Sequence, residues 1–337
     1  MNPIAVAVDA MGGDHAPDVV VEGAVQAART GGGSFRLLLV GPEDVTRPRL
    51  DALGASDVPV EIVHAPDVVG MAESPSTALK TKPQSSMHVG VGLVKDGTAH
   101  AFVTAGNTGA AMAISLFGLG RVPGVARPSL VGFFPTVLGR PCLVLDVGSN
   151  VDCRPEHLVQ FARMGSVYAQ RVLGVAAPRV GLMNVGEEPG KGNDLAKETY
   201  PLLAQTPGIV FSGNVEGRDV LAGVADVIVM DGFVGNVLLK FGESLKGALP
   251  QMMGAAMQRL GLDDAQRSAM AQVLGAAGKG FDYESAGGAP LLGVAGNVVI
   301  GHGSSSAKAI ASMIRAGAAM AEANVASALA EALVPTA

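Results

Sequence analysis

Short apolar runs alternate with longer segments of helical period along most of this chain. Ile4 to Ala10 is an apolar run of strand length, and Val19 to Ala28 repeats apolar residues at the three-to-four spacing of a buried helix face. The same alternation predicts strands near Arg36 to Val40, Val60 to His64 and Ala101 to Thr104. Helices are predicted over Val45 to Leu53, Ser85 to Lys95 and Ala111 to Leu119. Further strands are read at Val144, Val180 to Val185, Val210, Val229 and Val298 to Ile300, with a helix over Leu195 to Leu203. Strand and helix in regular succession give a mostly parallel sheet covered on both faces, a three-layer α/β/α architecture spanning 1–337 as one domain. The pattern changes from Gly242 to Lys279. Two helical stretches, Glu243 to Leu260 and Ala265 to Ala277, follow one another without a strand, so a helical hairpin over 243–280 is expected to protrude. Pro250 is expected to kink its first arm.

Polar residues cluster where the strands end. Val180 to Asp194 runs from an apolar strand into Asn184, Gly186, Pro189, Gly190, Lys191, Gly192 and Asn193, and Asn193 or Asp194 caps the next helix. Glycines let backbone N–H groups approach a ligand, a helix N-terminus adds a positive pole, and Lys191 adds a full charge: an anion site of the kind phosphate occupies. The other reading is a connection whose glycines only turn the chain, since the spacing is not a Walker A match. Similar ends recur at Asn107, Asp146 to Asn150, Asn214 and Asp231 to Asn236, and together they are expected to converge on one edge of the sheet. Asp9, Asp14 and His15 follow the first strand. Lys80 and Lys82 precede Ser85 and Ser86, either of which is a plausible N-cap, and His302 leads into Ser304 and Ser305.

Composition narrows these readings. Of the 337 residues, 48% are hydrophobic and only 16% charged, an apolar excess that calls for an oligomer interface or a lipid contact. No apolar run reaches the roughly 18 residues needed to span a bilayer, so membrane contact would be peripheral. Methionines on the hairpin, with Arg259 and Arg267 close to its turn, make a membrane-facing tip the sharper alternative to packing in the core or against a second subunit. The N-terminus has no basic residue ahead of its short apolar stretch and reads as lacking a secretion signal. Cys142 and Cys153 form no CxxC pair, which suits a reducing cytoplasm and suggests no zinc site. A net charge of −6 argues against nucleic-acid binding while leaving room for a local basic patch.

In order along the chain, Asp9-Ala-Met-Gly-Gly-Asp-His-Ala-Pro17, Lys82-Pro-Gln-Ser-Ser-Met87, Ala105-Gly-Asn-Thr-Gly-Ala110, Asp146-Val-Gly148, Asn184-Val-Gly-Glu-Glu188, Lys191-Gly-Asn193, Gly213-Asn-Val-Glu-Gly217, Asp231-Gly-Phe-Val-Gly-Asn236, Gly287-Gly-Ala-Pro-Leu-Leu-Gly293 and His302-Gly-Ser-Ser305 closely resemble the phosphate acyltransferase family of bacterial phospholipid synthesis, PlsX. The departures are small: Ser149 stands where alanine is usual, and Asn184 follows Met183 rather than leucine.

The resemblance implies transfer of a long-chain acyl group from acyl carrier protein to inorganic phosphate, without a cofactor or metal. It also implies an isocitrate/isopropylmalate dehydrogenase-like fold shared with phosphotransacetylase, a homodimer, and a cytoplasmic enzyme loosely attached to the inner face of the membrane. There its acyl phosphate would pass to a membrane glycerol-phosphate acyltransferase. On that reading Asn107, Asn193, Asn214 and Asn236 are candidate oxyanion donors, and Lys82, Lys191, Ser304 and Ser305 candidate phosphate ligands. His15 or His302 would protonate the departing thiolate. Lys246, Arg259, Arg267 and Lys279 would dock the acidic carrier, and Met253, Met257 and Leu260 would face the membrane. No Ser or Cys stands beside a recognisable base, which favours direct attack by phosphate over an acyl-enzyme. Two rivals stand: a nicotinamide-dependent dehydrogenase on the same fold, although no strand–GxGxxG–helix unit is present, and a non-catalytic membrane scaffold.

Overall fold

Alternate residues of the strands face two different helical layers. Val6 and Val8, with Leu37 and Leu39, belong to one buried cluster, while Ala7, Leu38 and Val40 belong to another. That alternation is the strand period, and it makes the sheet a middle layer with a core on each face. The computed structural model describes residues 3–278 and 287–333.

The first half follows the expected succession closely. β1 (Ile4–Asp9), α1 (Asp18–Thr30), β2 (Phe35–Gly41), α2 (Glu43–Ala52) and β3 (Val60–His64) lead to two consecutive helices, α3 (Pro75–Thr81) and α4 (Ser86–Lys95). β4 (Ala101–Thr104) and α5 (Thr108–Leu119) follow, then β5 (Ser129–Phe134), which apolar alternation does not single out, pairs as a hairpin with β6 (Cys142–Leu145), the strand expected at Val144. α6 (Pro155–Arg171), β7 (Arg179–Met183), α7 (Asp194–Gln205), β8 (Val210–Val215), the single turn α8 (Asp219–Ala222) and β9 (Val227–Val229) build the second half. The helical pair is α9 (Gly232–Arg259) and α10 (Asp264–Gly278), and the chain returns through β10 (Ala289–Leu292) and β11 (Asn297–Ile300). The last helical pattern divides into α11 (Ala307–Glu322) and α12 (Val325–Leu333), because Asn324 turns left-handed at φ 50°.

All eleven strands form one sheet in the order β3-β2-β1-β4-β11-β10-β5-β6-β9-β7-β8. Its direction reverses in the middle: β10 is antiparallel to both β11 and β5, and β5 is antiparallel to β6. The strands β3, β2, β1, β4 and β11 therefore run one way, and β6, β9, β7 and β8 run the other. The expectation that all the glycine- and amide-rich strand ends meet at one edge is corrected here. The loops after β6, β7, β8 and β9 leave at one rim, whereas the loop carrying Asn107, with those carrying His15 and His302, leaves at the other.

Helices facing these rims start on side-chain caps from the preceding loops: Ser85, Asn107, Asn193, Asp231 and Ser306 each accept a backbone N–H of the first turn. The hairpin begins at Gly232 rather than at Glu243, because Gly235 lies against the backbone of Asp146 so closely that a Cβ would collide with it. α9 continues through Pro250. From Asn236 to Ala276 no residue is buried. Phe241, Met252 and Leu260 leave apolar surface exposed along this stretch.

Candidate functional site

The loop between β7 and α7 is held by its own amides. Asn184 donates through Nδ2 to the Lys191 carbonyl at 3.1 Å and accepts the Val185 N–H at 2.8 Å. Asn214, on β8, donates to the Glu188 carbonyl at 2.8 Å, and the Lys191 N–H donates to the same oxygen at 3.1 Å. Gly192 has φ 93°, and a Cβ there would run into the Asn184 side chain. Only glycine fits both demands. Asn193 then caps α7, accepting the Ala196 N–H at 3.0 Å. The result places exposed Lys191 directly ahead of the positive end of a helix.

Asp146 organises the neighbouring loop. Fully buried, it accepts from Ser129 Oγ at 3.2 Å, Leu130 N at 3.0 Å, Ser149 Oγ at 2.5 Å, and Asn150 through N at 2.5 Å and Nδ2 at 3.1 Å. A buried carboxylate is stable only with such a set of donors. Gly232 N donates to the Asn150 carbonyl at 2.7 Å and Asn236 Nδ2 to the Val147 carbonyl at 3.1 Å, which seats the start of α9 on this loop. The sequence marks Asp146 to Asn150 as a polar strand end but gives Asp146 no role, since its donors Ser129 and Leu130 lie on another strand.

Between the β7–α7 loop and the start of α9 lies a cleft of about 280 Å³. Leu158, Leu182 and Met230, each at most 3% exposed, form its floor; Ala196 forms a wall, and Asn193 and Val234 stand among its lining. An apolar cleft thus opens beside the Lys191 loop and the N-termini of α7 and α9. The sequence alone does not reveal it, because its lining comes from four separate segments.

At the other rim the candidate residues are tied to one another. Asn107 caps α5 through Oδ1, accepting Ala110 N at 2.9 Å, and donates through Nδ2 to the carbonyls of Met71 and Glu73 at 2.9 and 2.8 Å. Lys82 Nζ lies 2.6 Å from both Glu73 Oε2 and the Val68 carbonyl. Its hydrogen bond is the main cause that holds the Glu73 carboxyl below its ordinary pKa. Asp14 N donates to the Gly303 carbonyl at 2.7 Å, joining the loop of exposed His15 to that of His302, whose Nδ1 is 2.8 Å from Ser304 Oγ. Ser305 is buried and donates to the His302 carbonyl at 2.6 Å. Buried Asp9 accepts from Thr104 Oγ1 at 2.7 Å, and burial pushes its carboxyl above the ordinary value despite that bond.

The four candidate amides, Asn107, Asn193, Asn214 and Asn236, therefore hold backbone in place through at least one hydrogen bond each. Lys191 and Lys82 stand at opposite rims, and Lys82 is paired with Glu73. Arg259, Arg267 and Lys246 are exposed on the hairpin, and Lys279 lies outside the described residues. Met253 and Met257 are half-buried, turned from solvent more than expected; Met252 and Leu260 are the outward pair at 66% and 75% exposure. Among the described residues no helix is long and apolar enough to cross a membrane. Burial pushes the thiols of both Cys142 and Cys153 up to about 12, so neither is a thiolate at neutral pH and neither is equipped as an acyl-accepting nucleophile.

The family model described as fatty acid synthesis protein matches residues 4–328. A protein of Salinibacter ruber named phosphate acyltransferase is 54% identical over 332 residues, covering 97% of both chains. One of the same name from Heliobacterium modesticaldum is 49% identical over 92% of both. Among solved structures, a phosphotransacetylase from Streptococcus pyogenes superposes with a TM-score of 0.62 at 18% identity, covering 95% of this chain and 94% of that one. A 4-hydroxythreonine-4-phosphate dehydrogenase from Burkholderia phymatum superposes at 0.53 with 14% identity, covering 95% of this chain and 99% of that one. These two likenesses bear on the fold, which phosphotransacetylase and dehydrogenase chemistries both use. Near-complete coverage by the family model, with half or more of the residues shared with the Salinibacter relative, makes this chain a member of the fatty acid synthesis protein family and a transferase.

Proposed function

We propose that the chain moves a long-chain acyl group from acyl carrier protein to inorganic phosphate, giving acyl phosphate and free carrier thiol. The observation that carries this reading is adjacency: Lys191, at the head of α7, stands next to an apolar cleft, so an anion and an alkyl group have places side by side. A phosphate oxygen attacks the thioester carbon, the new C–O bond forms as the C–S bond breaks, and the carrier thiolate leaves and takes up a proton. Phosphate dianion already carries the electron pair, so positioning and desolvation supply most of the rate. Lys191 holds the phosphate, with the N-terminal turn of α7 completing the cradle. Asn107 lies at the opposite rim and Asn214 and Asn236 hold carbonyls, so in this scheme N–H groups of the first turn of α7, which Asn193 caps, meet the charge developing on the thioester oxygen. A thiolate is a good leaving group, so His15 and His302 are not essential to the scheme.

The exposed hairpin supports three companion proposals. A second copy packs on α9 and α10 to form a homodimer, and Lys246, Arg259 and Arg267 receive the acidic carrier. Met252 and Leu260 suit a peripheral membrane contact, from which acyl phosphate passes to a membrane glycerol-phosphate acyltransferase. Supplying acyl carrier protein thioester with and without phosphate tests the central reading. Free thiol appearing only with phosphate supports it; thiol release indifferent to phosphate, or no release in either case, refutes it.

A further inference from the structure

We propose that the cleft between the β7–α7 loop and the start of α9 holds the alkyl chain of the substrate and sets its preferred length, with Ala196 and Leu158 as specificity-determining residues. This rests on the acyl-transfer reading and concerns where its chain lies. The cleft is finite, about 280 Å³, with Leu158, Leu182 and Met230 closing its floor. Its polar side chains are Asn184, in the β7–α7 loop, and Asn193 and Asp231, which cap the N-termini of α7 and α9. A methylene chain ending in a polar carbonyl has that same polarity, apolar along its length and polar at one end. The carbonyl end belongs beside Asn193, and the methylenes belong against the floor.

Val234 lines the cleft and is 39% exposed, and Val237 and Phe241 follow it at 57% and 64%. Separations of three and four residues put them on one face of α9, an apolar line about 10 Å long. Methylenes beyond the capacity of the cleft have that line to lie on. Ala196 is, after Gly192, the smallest residue in the lining and is 7% exposed, so enlarging it reduces room for the chain without altering its backbone hydrogen bond to Asn193.

The test is the ratio of kcat/KM for hexadecanoyl over octanoyl carrier protein at saturating phosphate, in the parent, Ala196→Leu and Leu158→Ala. The ratio is expected to fall at least about tenfold in Ala196→Leu and to rise in Leu158→Ala, as expected when methylene groups gain or lose a fitted pocket. Binding of the fluorescent fatty acid cis-parinaric acid, read without turnover, is expected to weaken by about the same factor in Ala196→Leu. A parent that turns over acyl groups while both ratios and parinaric acid binding stay unchanged in the two variants overturns the chain-length assignment and leaves acyl transfer standing. Weakened parinaric acid binding in a protein that makes no acyl phosphate upholds the alkyl site and refutes the transfer. Should Ala196→Leu fail to fold, Leu158→Ala decides alone, an unchanged ratio and unchanged binding counting against the proposal.

Discussion

Lys191 carries a charge that no cap or turn requires. Its backbone N–H and carbonyl shape the loop, so replacing the side chain leaves those hydrogen bonds in place. Lys191→Ala is expected to raise KM for phosphate and to lower kcat/KM by about two to three orders of magnitude, with little change in thermal unfolding. A phosphate titration checks it; an unchanged KM removes Lys191 from the site. Asn214→Ala is expected to act differently. It removes one of the two donors to the Glu188 carbonyl, leaving the Lys191 N–H, and empties a buried site, so it costs about 1–3 kcal/mol of stability as well as activity. Cys153→Ala, in contrast, is expected to retain turnover, and the parent to resist iodoacetamide at neutral pH, since a thiol at about 12 is almost wholly protonated. Rapid inactivation prevented by acyl carrier protein would point to an acyl-cysteine intermediate instead. Lys191 and Asn193 were legible in the chain because glycine, lysine and a cap in succession have local meaning. The burden on Asp146 and the pairing of Lys82 with Glu73 were not, since both depend on residues brought together by folding.

Helices and strands were legible wherever one face is apolar and the flanks hold caps or breakers, as with α4, α7 and β3. The start of α9 was not, because Gly232 and Gly235 read as turn residues until the Asp146 loop against which they pack is seen. The hairpin has no buried residue from Asn236 to Ala276. On the homodimer proposal Val273→Glu, which places a charge on an exposed apolar position of α10, is expected to shift the protein to monomer in sedimentation velocity. A dimer of unchanged affinity would move the proposed interface elsewhere.

Across the whole molecule, regular alternation of strand and helix was enough to read a layered, mostly parallel sheet. The reversal of direction at β10, β5 and β6 was hidden, because ladder direction is a property of strand pairs distant in sequence rather than of any local pattern. The strand starts of the second half are joined by an ion triad: Asp226, 6% exposed, lies 3.1 Å from Arg179 Nε and 2.9 Å from Arg140. Burial pushes its carboxyl up, but hydrogen bonds and charge from Arg179, with the charge of Arg140, outweigh it and hold the group below its ordinary value of 3.8. A depressed carboxyl contributes stability above its unfolded pKa and loses it as pH falls through the folded one. Asp226→Asn is therefore expected to be less stable than the parent by roughly 1–3 kcal/mol at neutral pH in urea unfolding, the difference shrinking below about pH 4. A constant difference across that range would place the origin elsewhere.

The most direct measurement is acyl phosphate formed from acyl carrier protein thioester as phosphate is varied, in the parent and in Lys191→Ala. The account expects product in the parent that saturates with phosphate, one acyl phosphate per thiol released, and a much weakened phosphate dependence in the variant. Thiol released without acyl phosphate, or equal phosphate dependence in the two proteins, would contradict it.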